Sequence, residues 1–406
     1  MNKVYPYQFH IALDGSGLNG LEGRAGVCLF LFNPEDNSYA YSINFYDGVG
    51  GGHSLSVNPA GTHGYLGNTG QHILLYDAST GRELVRQSTL PYETPDTSLQ
   101  GSTHAVWLSD SEFVVAIGEH FYKFDISDLS RAKKLGPHGV VLPHAIKLTT
   151  GGTHLVYGSM DNPAMGADGE ARSVGFFDLT TGTNKVVQLP ATCWHIATHP
   201  SRDLVHAVSF RVLPQAYRDY HDWAIASYKE YAFEIDVAST KVTRHWVASR
   251  DIPAHINSDI VVSDTELIFC NGASQTIVLI DLESYAKYRI IDERPNLNQL
   301  LNNKREIANQ VADGFSRGSP VPDSRHFLTA LRVSRYAILD SVYACQLSAD
   351  QSLLFTANRG LNHITIYDYP SNDIRLRVKM PDIQEFVDAP IHGDRRLGFH
   401  HGWLRG

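Results

Sequence analysis

The chain is poor in cysteine. Cys28, Cys193, Cys270 and Cys345 are scattered through 406 residues, with no CxxC spacing. That pattern excludes a disulfide-stapled scaffold and a zinc ribbon, and it leads us to expect reduced thiols in a cytoplasmic protein. Excess positive charge is also missing. Lys and Arg number 34 against 43 Asp and Glu, a formal net charge of −9, so no basic nucleic-acid-binding face is expected. No apolar run approaches the roughly 20 residues that span a bilayer. The opening MNKVYPYQFHIALDG lacks the apolar core and small-residue cleavage site of a secretory signal. The glycine-rich stretches GVGGGH and GASQ do not lead into a helical pattern, which argues against a phosphate cradle.

What the chain does have is histidine, 20 in all, and a repeat that carries it. GGHSLSV at His53, STHAVWL at His104, LPHAIKL at His144 and CWHIATH at His195 are versions of one short strand. Each has period-two alternation and is followed by a turn-like segment. A second repeat is a β-rich run ending in Asp and a turn: HILLYDASTG, FYKFDISD, VGFFDLTTG, YAFEIDVAST, TIVLIDLES and HITIYDYPSN, with CLFLFNPEDN as a seventh copy bearing Asn33 in the Asp place. A short carboxylate or amide there can accept a hydrogen bond from the backbone two residues on.

The unit is therefore four strands: a histidine strand, a second strand, the Asp-ended strand and an outer strand. Seven copies predict an all-β, seven-bladed β-propeller spanning 1–406 as a single domain. The N-terminus supplies three strands of a blade (YPYQFHIAL, GVCLFLFN, YAYSINFYD), and the C-terminal LGFHHGWLRG supplies the missing first strand. Closing the ring with one C-terminal and three N-terminal strands removes exposed sheet edges. Two segments interrupt the repeat. One is an aromatic and charged insert at about 211–230. The other is an insert at 294–325 that begins with a helical pattern.

The first strand of a propeller blade lines the central channel. Alignment of the copies places His53, His104, His144, His195 and His400 around it, with His401 as the alternative to His400 and Tyr343 in the place of a sixth. Ser258 holds the remaining position, with His255 a short offset away. Neutral imidazole is the commonest metal ligand, and a near-all-histidine site suits a transition metal. Fe or Cu is expected first, Mn or Zn next. Three or four imidazoles leave coordination positions open for chemistry. Tyr343 and His255 are the candidate acid–base residues, and Asp259 is a candidate partner for a histidine N–H.

The repeat resembles that of seven-bladed propellers of the YVTN and WD40-like type, a resemblance that implies the fold over nearly the whole chain. The terminal GFHHGWLRG is similar to the last histidine motif of carotenoid-cleavage oxygenases, and ATHPSRDLVHAVSF around His199 loosely resembles another of their motifs. That resemblance implies Fe(II) held by four histidines and O2-dependent cleavage of carbon–carbon double bonds. The reading is a metal-dependent enzyme acting on a small organic substrate, an oxidoreductase or oxygenase. The alternatives are a metal-dependent lyase or cyclase using His/Tyr acid–base chemistry, and a non-catalytic propeller that binds a protein partner.

Overall fold

Every copy of the histidine strand becomes the innermost strand of a four-stranded antiparallel sheet. The structure, a computed structural model, describes residues 4–14, 24–68, 70–92, 103–160, 172–209, 231–247, 257–271, 275–294, 342–388, 390 and 395–406. These residues form seven such sheets, the blades. The innermost strands are Leu55–Val57, Ala105–Trp107, Leu142–Leu148, His195–Thr198, Asn257–Val262, Val342–Leu347 and Phe399–Arg405, in blades one to seven. Each touches the innermost strand of the next blade all the way round, so the ring is closed.

Blade seven is built as expected. The C-terminal Phe399–Arg405 pairs with Tyr7–Leu13, which pairs with Arg24–Asn33 and through it with Ser38–Asp47. Gln8 lies opposite Arg405 and His10 opposite Trp403. Phe9, Phe30, Phe32 and Phe355 pack across the seam to blade six, all fully buried. Burying each phenyl ring contributes roughly 1.5–3 kcal/mol.

Within a blade, burial falls outward. Thr276–Asp281 (TIVLID) is buried along nearly its whole length because neighbouring blades cover both its faces, whereas the outer strand Glu83–Ser88 is mostly exposed or half-buried. The Asp-ended turns work as their sequence suggests. Asp77, Asp125, Asp178 and Asn33 accept from the backbone N–H two residues on, and Asp236 and Asp281 from the one three residues on. Asp368 departs from the rule, pairing instead with Arg375 at 2.6 Å. Arg375 belongs to a set of outer-strand arginines that bridge blades. Arg244, Arg289 and Arg375 each bind an acid in their own blade and donate to a backbone carbonyl of the next, at Leu282, Pro370 and Pro34.

The expected inserts at 211–230 and 294–325 lie outside the described residues, apart from Arg294. No helix among the described residues is long and apolar enough to cross a membrane. All four cysteines are buried and free.

Candidate metal centre

Backbone irregularities aim the side chains at the channel axis. In four blades the innermost strand carries one extra residue against its partner. Ala145 and Ile146 oppose only Tyr157, and Ser258 and Asp259 only Cys270. Tyr343 is the added residue of blade six, and His400 and His401 oppose only Ala12. A bulge re-aims a side chain that strict alternation would turn away. Ala145 holds a left-handed φ of 51° at its bulge, a conformation that costs a non-glycine residue about 1–2 kcal/mol.

Blade seven shows the effect. Regular alternation would send His400 and His401 to opposite faces. Instead both rings reach His53, with centroids at 4.2 and 5.2 Å. One nitrogen from each of His53, His104, His144 and His401 lies within 4.8 Å of the others. His401 is thus the fourth member of the tight group. Nitrogens about 2.1 Å from an ion in a tetrahedron are about 3.4 Å apart, so to hold one the widest pair closes by about 1.4 Å while His53 and His144 part. His195 sits beside it, 4.9 Å from His144 and 4.8 Å from His401 between ring centroids. His400 stacks between His53 and Tyr343, at 4.2 Å from each. Tyr343 is buried behind His400, and burial pushes its phenol pKa well up, so it stays protonated. His255 lies outside the described residues. His199 is apart from the group, its ring held by Arg202.

Outer hydrogen bonds fix the tautomers. A neutral imidazole has one N–H and one lone pair. His144 Nδ1 donates to Trp194 O at 2.8 Å, and His400 Nδ1 to His53 O at 2.7 Å. Their lone pairs are therefore on Nε2. His401 Nδ1 faces Asp259 Oδ1 at 3.5 Å, in a pair buried on both sides. This leaves His401 Nε2 buried with no hydrogen-bond partner among the described residues. His53 Nε2 stands 2.6 Å from His144 Nε2. Two lone pairs cannot share so short a gap, so with the His144 lone pair on Nε2 it is His53 Nε2–H that donates to His144 Nε2.

Burial disfavours the charged form of His53, His104 and His144. Burial, followed by the neighbouring imidazoles, holds His53, His104 and His195 well below the ordinary histidine range, and His400 likewise. Burial and His401 bring His144 to about 3. Neutral imidazole is the ligating form. Asp259 behaves oppositely. Burial alone would raise its pKa, but the His401 hydrogen bond and charge, with Lys147 and Gln346, carry it below the usual carboxylate value. Its oxygens also accept from the backbone N–H of Ile260 and Cys345. It is a permanent anion beside His401.

Close blade packing sets the supporting carbonyls. Gly67 directly follows the second strand of blade one, and Gly158 lies on the second strand of blade three. A Cβ on Gly67 would collide with Thr103 O, and one on Gly158 with the carbonyls of Cys193 and Trp194. Only glycine lets blades one and three approach the residues that precede His104 and His195.

Below the ring opens a cavity of about 360 Å³, reached by His104, His195, His401 and Asp259. Its walls include Val57, Val106, Trp107, Ile146 and Trp403, with Lys147 as a cation. Sequence reasoning found the histidines and Asp259. It missed Lys147, although a lysine in LPHAIKL, a channel-lining strand, was a readable signal. It also missed Gly67, Gly158 and the Trp194 carbonyl, because contacts between blades are not visible in a strand pattern.

No known protein family matches the sequence, and neither does any curated protein. The resemblance at GFHHGWLRG therefore stands on those residues alone. Solved structures do match. The hydrazine synthase of Kuenenia stuttgartiensis aligns with a TM-score of 0.55 and 11% identity, over 82% of this chain and 87% of that one. Dihydro-heme d1 dehydrogenase NirN, in complex with DHE, aligns at 0.50 and 11% identity, over 89% of this chain. The chain spans 65% of the NirN length. At that identity the likeness establishes a shared propeller fold.

Proposed function

We propose that this protein is a metal-dependent enzyme that holds a transition ion on His53, His104, His144 and His401 and acts on a small organic molecule in the adjoining cavity. The observation that carries the reading is the convergence of four imidazoles on one point, where the buried His401 Nε2 has no other partner among the described residues. An all-nitrogen donor set suits Fe or Cu, with Zn or Mn as alternatives. Such an ion would supply Lewis acidity or, for Fe or Cu, redox chemistry toward O2.

The chain's own residues do the rest. Asp259 orients His401 and makes it a stronger donor. The Trp194 carbonyl orients His144. His195, which lies beside the group and lines the cavity, is placed to exchange a proton with a bound molecule. Tyr343 packs its ring against His400 and holds that imidazole in place. It is a positioning residue, because it does not line the cavity.

The test is metal content and turnover in the wild type against a His53→Ala/His144→Ala variant. One Fe or Cu per chain, lost in the variant, supports the reading, and oxygen uptake on substrate addition supports an oxidoreductase. Turnover without O2, sustained by Mn or Zn, supports the lyase alternative. Unchanged metal in the double variant overturns the site. A chain that takes up no metal on reloading is a binding propeller.

A further inference from the structure

The metal reading leaves the rest of the cavity unexplained. Lys147 lines it, three residues along the strand from His144. It shares that lining with His104, His195, His401 and Asp259. It has no hydrogen-bond or ion-pair partner among the described residues. The nearby anion, Asp259, is already engaged by the backbone of Ile260 and Cys345, by Gln346 and by His401. A cation in a half-buried wall with no hydrogen-bonded or ion-paired anion is an anion-recognition group.

Away from the ring the walls are largely apolar, with Ser54 and Ser56 as the hydroxyls among them, and two of them are indoles. Trp107 and Trp403 come from the blades on either side of blade one. Each is fixed from behind: Trp107 packs on Phe113 at 4.9 Å between centroids, and Trp403 meets the His10 ring edge-on at 5.6 Å. Rigid aromatic walls recognise planar, apolar ligands through offset or edge contacts. The cavity volume lies at the lower end of the roughly 300–1,000 Å³ typical of ligand pockets, which favours a small molecule.

We infer that the cavity binds a small aromatic carboxylate, its ring against Trp107 and Trp403 and its carboxylate on Lys147. The inference deepens the proposed function by naming the substrate class, and it rests on that reading only for what happens after binding. Lys147 supplies a single positive charge for a single carboxylate. The apolar walls raise the cost of leaving that charge unpaired and so sharpen the preference for an anion over its neutral analogue.

The test uses the full chain, metal-loaded and metal-free, with benzoate and benzyl alcohol as probes. Binding is followed by tryptophan fluorescence and ligand-observed NMR. Benzoate is expected to bind saturably and at least about tenfold more tightly than benzyl alcohol, the scale of one charge-assisted hydrogen bond. Lys147→Met should abolish that preference and Lys147→Arg should keep it, both with unchanged metal content. Equal binding of the two probes, or wild-type benzoate affinity in Lys147→Met, overturns the inference. The two readings fail separately. Lys147-dependent benzoate binding by a chain that takes up no metal sinks the metal site and leaves this inference standing. Full metal content without benzoate binding does the reverse.

Discussion

Asp259→Asn is the most informative single substitution. The carboxylate and the His401 imidazole are both buried and meet at 3.5 Å. The carboxylate accepts the His401 N–H, fixes its tautomer and strengthens the Nε2 lone pair on the far side of the ring. An amide of the same shape keeps the volume but loses the charge. Loss of an outer partner of this kind weakens metal affinity about 10–100-fold, or about 1.4–2.7 kcal/mol. A second, separate cost arises because the new NH2 group must face donors that now bind Oδ1 or Oδ2. Ile260 N lies at 3.0 Å from one oxygen, and Cys345 N and Gln346 Nε2 at 3.2 and 3.1 Å from the other. An unsatisfied buried donor costs roughly 1–3 kcal/mol of stability. Competition against a chelator of known affinity reads the first effect and urea denaturation of the metal-free chain reads the second. A variant that loses stability yet binds metal within twofold of the wild type would refute the role given to Asp259.

Gly158→Ala should lower metal affinity at least about tenfold by displacing the Trp194 carbonyl that orients His144. Gly152→Ala is the control: it strains a φ of 70° in open space and should leave metal binding unchanged. Both are read by the same chelator competition. His10 and His206 lie outside the ring, and burial lowers each to about 3. In the folded state the charged form is disfavoured, while the unfolded chain takes up protons near pH 6.5. The stability these residues confer is therefore complete above about pH 6.5 and is lost as pH falls toward 3, by about 1.4 kcal/mol per pH unit for each group. Urea titrations from pH 7.5 to 5 should show that loss, and His10→Gln should remove one group's share of the slope. Phe355→Ala should cost about 3–5 kcal/mol by opening the seam between blades six and seven, measured by chemical denaturation; a loss under about 1 kcal/mol would mean the phenyl rings there do not carry the closure.

The fold was legible because its repeat is written in two places. The histidine strands and the Asp-ended strands mark the inner and third strands of each blade, and both signals are local. The N- and C-terminal strands could be joined by counting, since each end held the part of a blade that the other lacked. The site was legible down to its residue types but less so in its membership. His400 and His401 could not be ranked from the sequence, because a period-two pattern has no means of encoding a bulge. The bulge opposite Ala12 is what turns both rings to the axis. Asp259, next to the in-register Ser258, reaches His401 by the same device. Lys147 was passed over because a charged residue on a strand ordinarily means solvent, and here it means a cavity. Gly67 and Gly158 act through carbonyls of the following blade, a relation between residues far apart in the chain.

The most direct test of the central claim is diffraction from crystals of the metal-loaded chain, measured on either side of the metal's absorption edge. The account expects one anomalous peak on the channel axis, about 2.0–2.2 Å from nitrogens of His53, His104, His144 and His401. A fully loaded crystal with its peak elsewhere, or with fewer than three of these histidines in reach of it, would contradict the account.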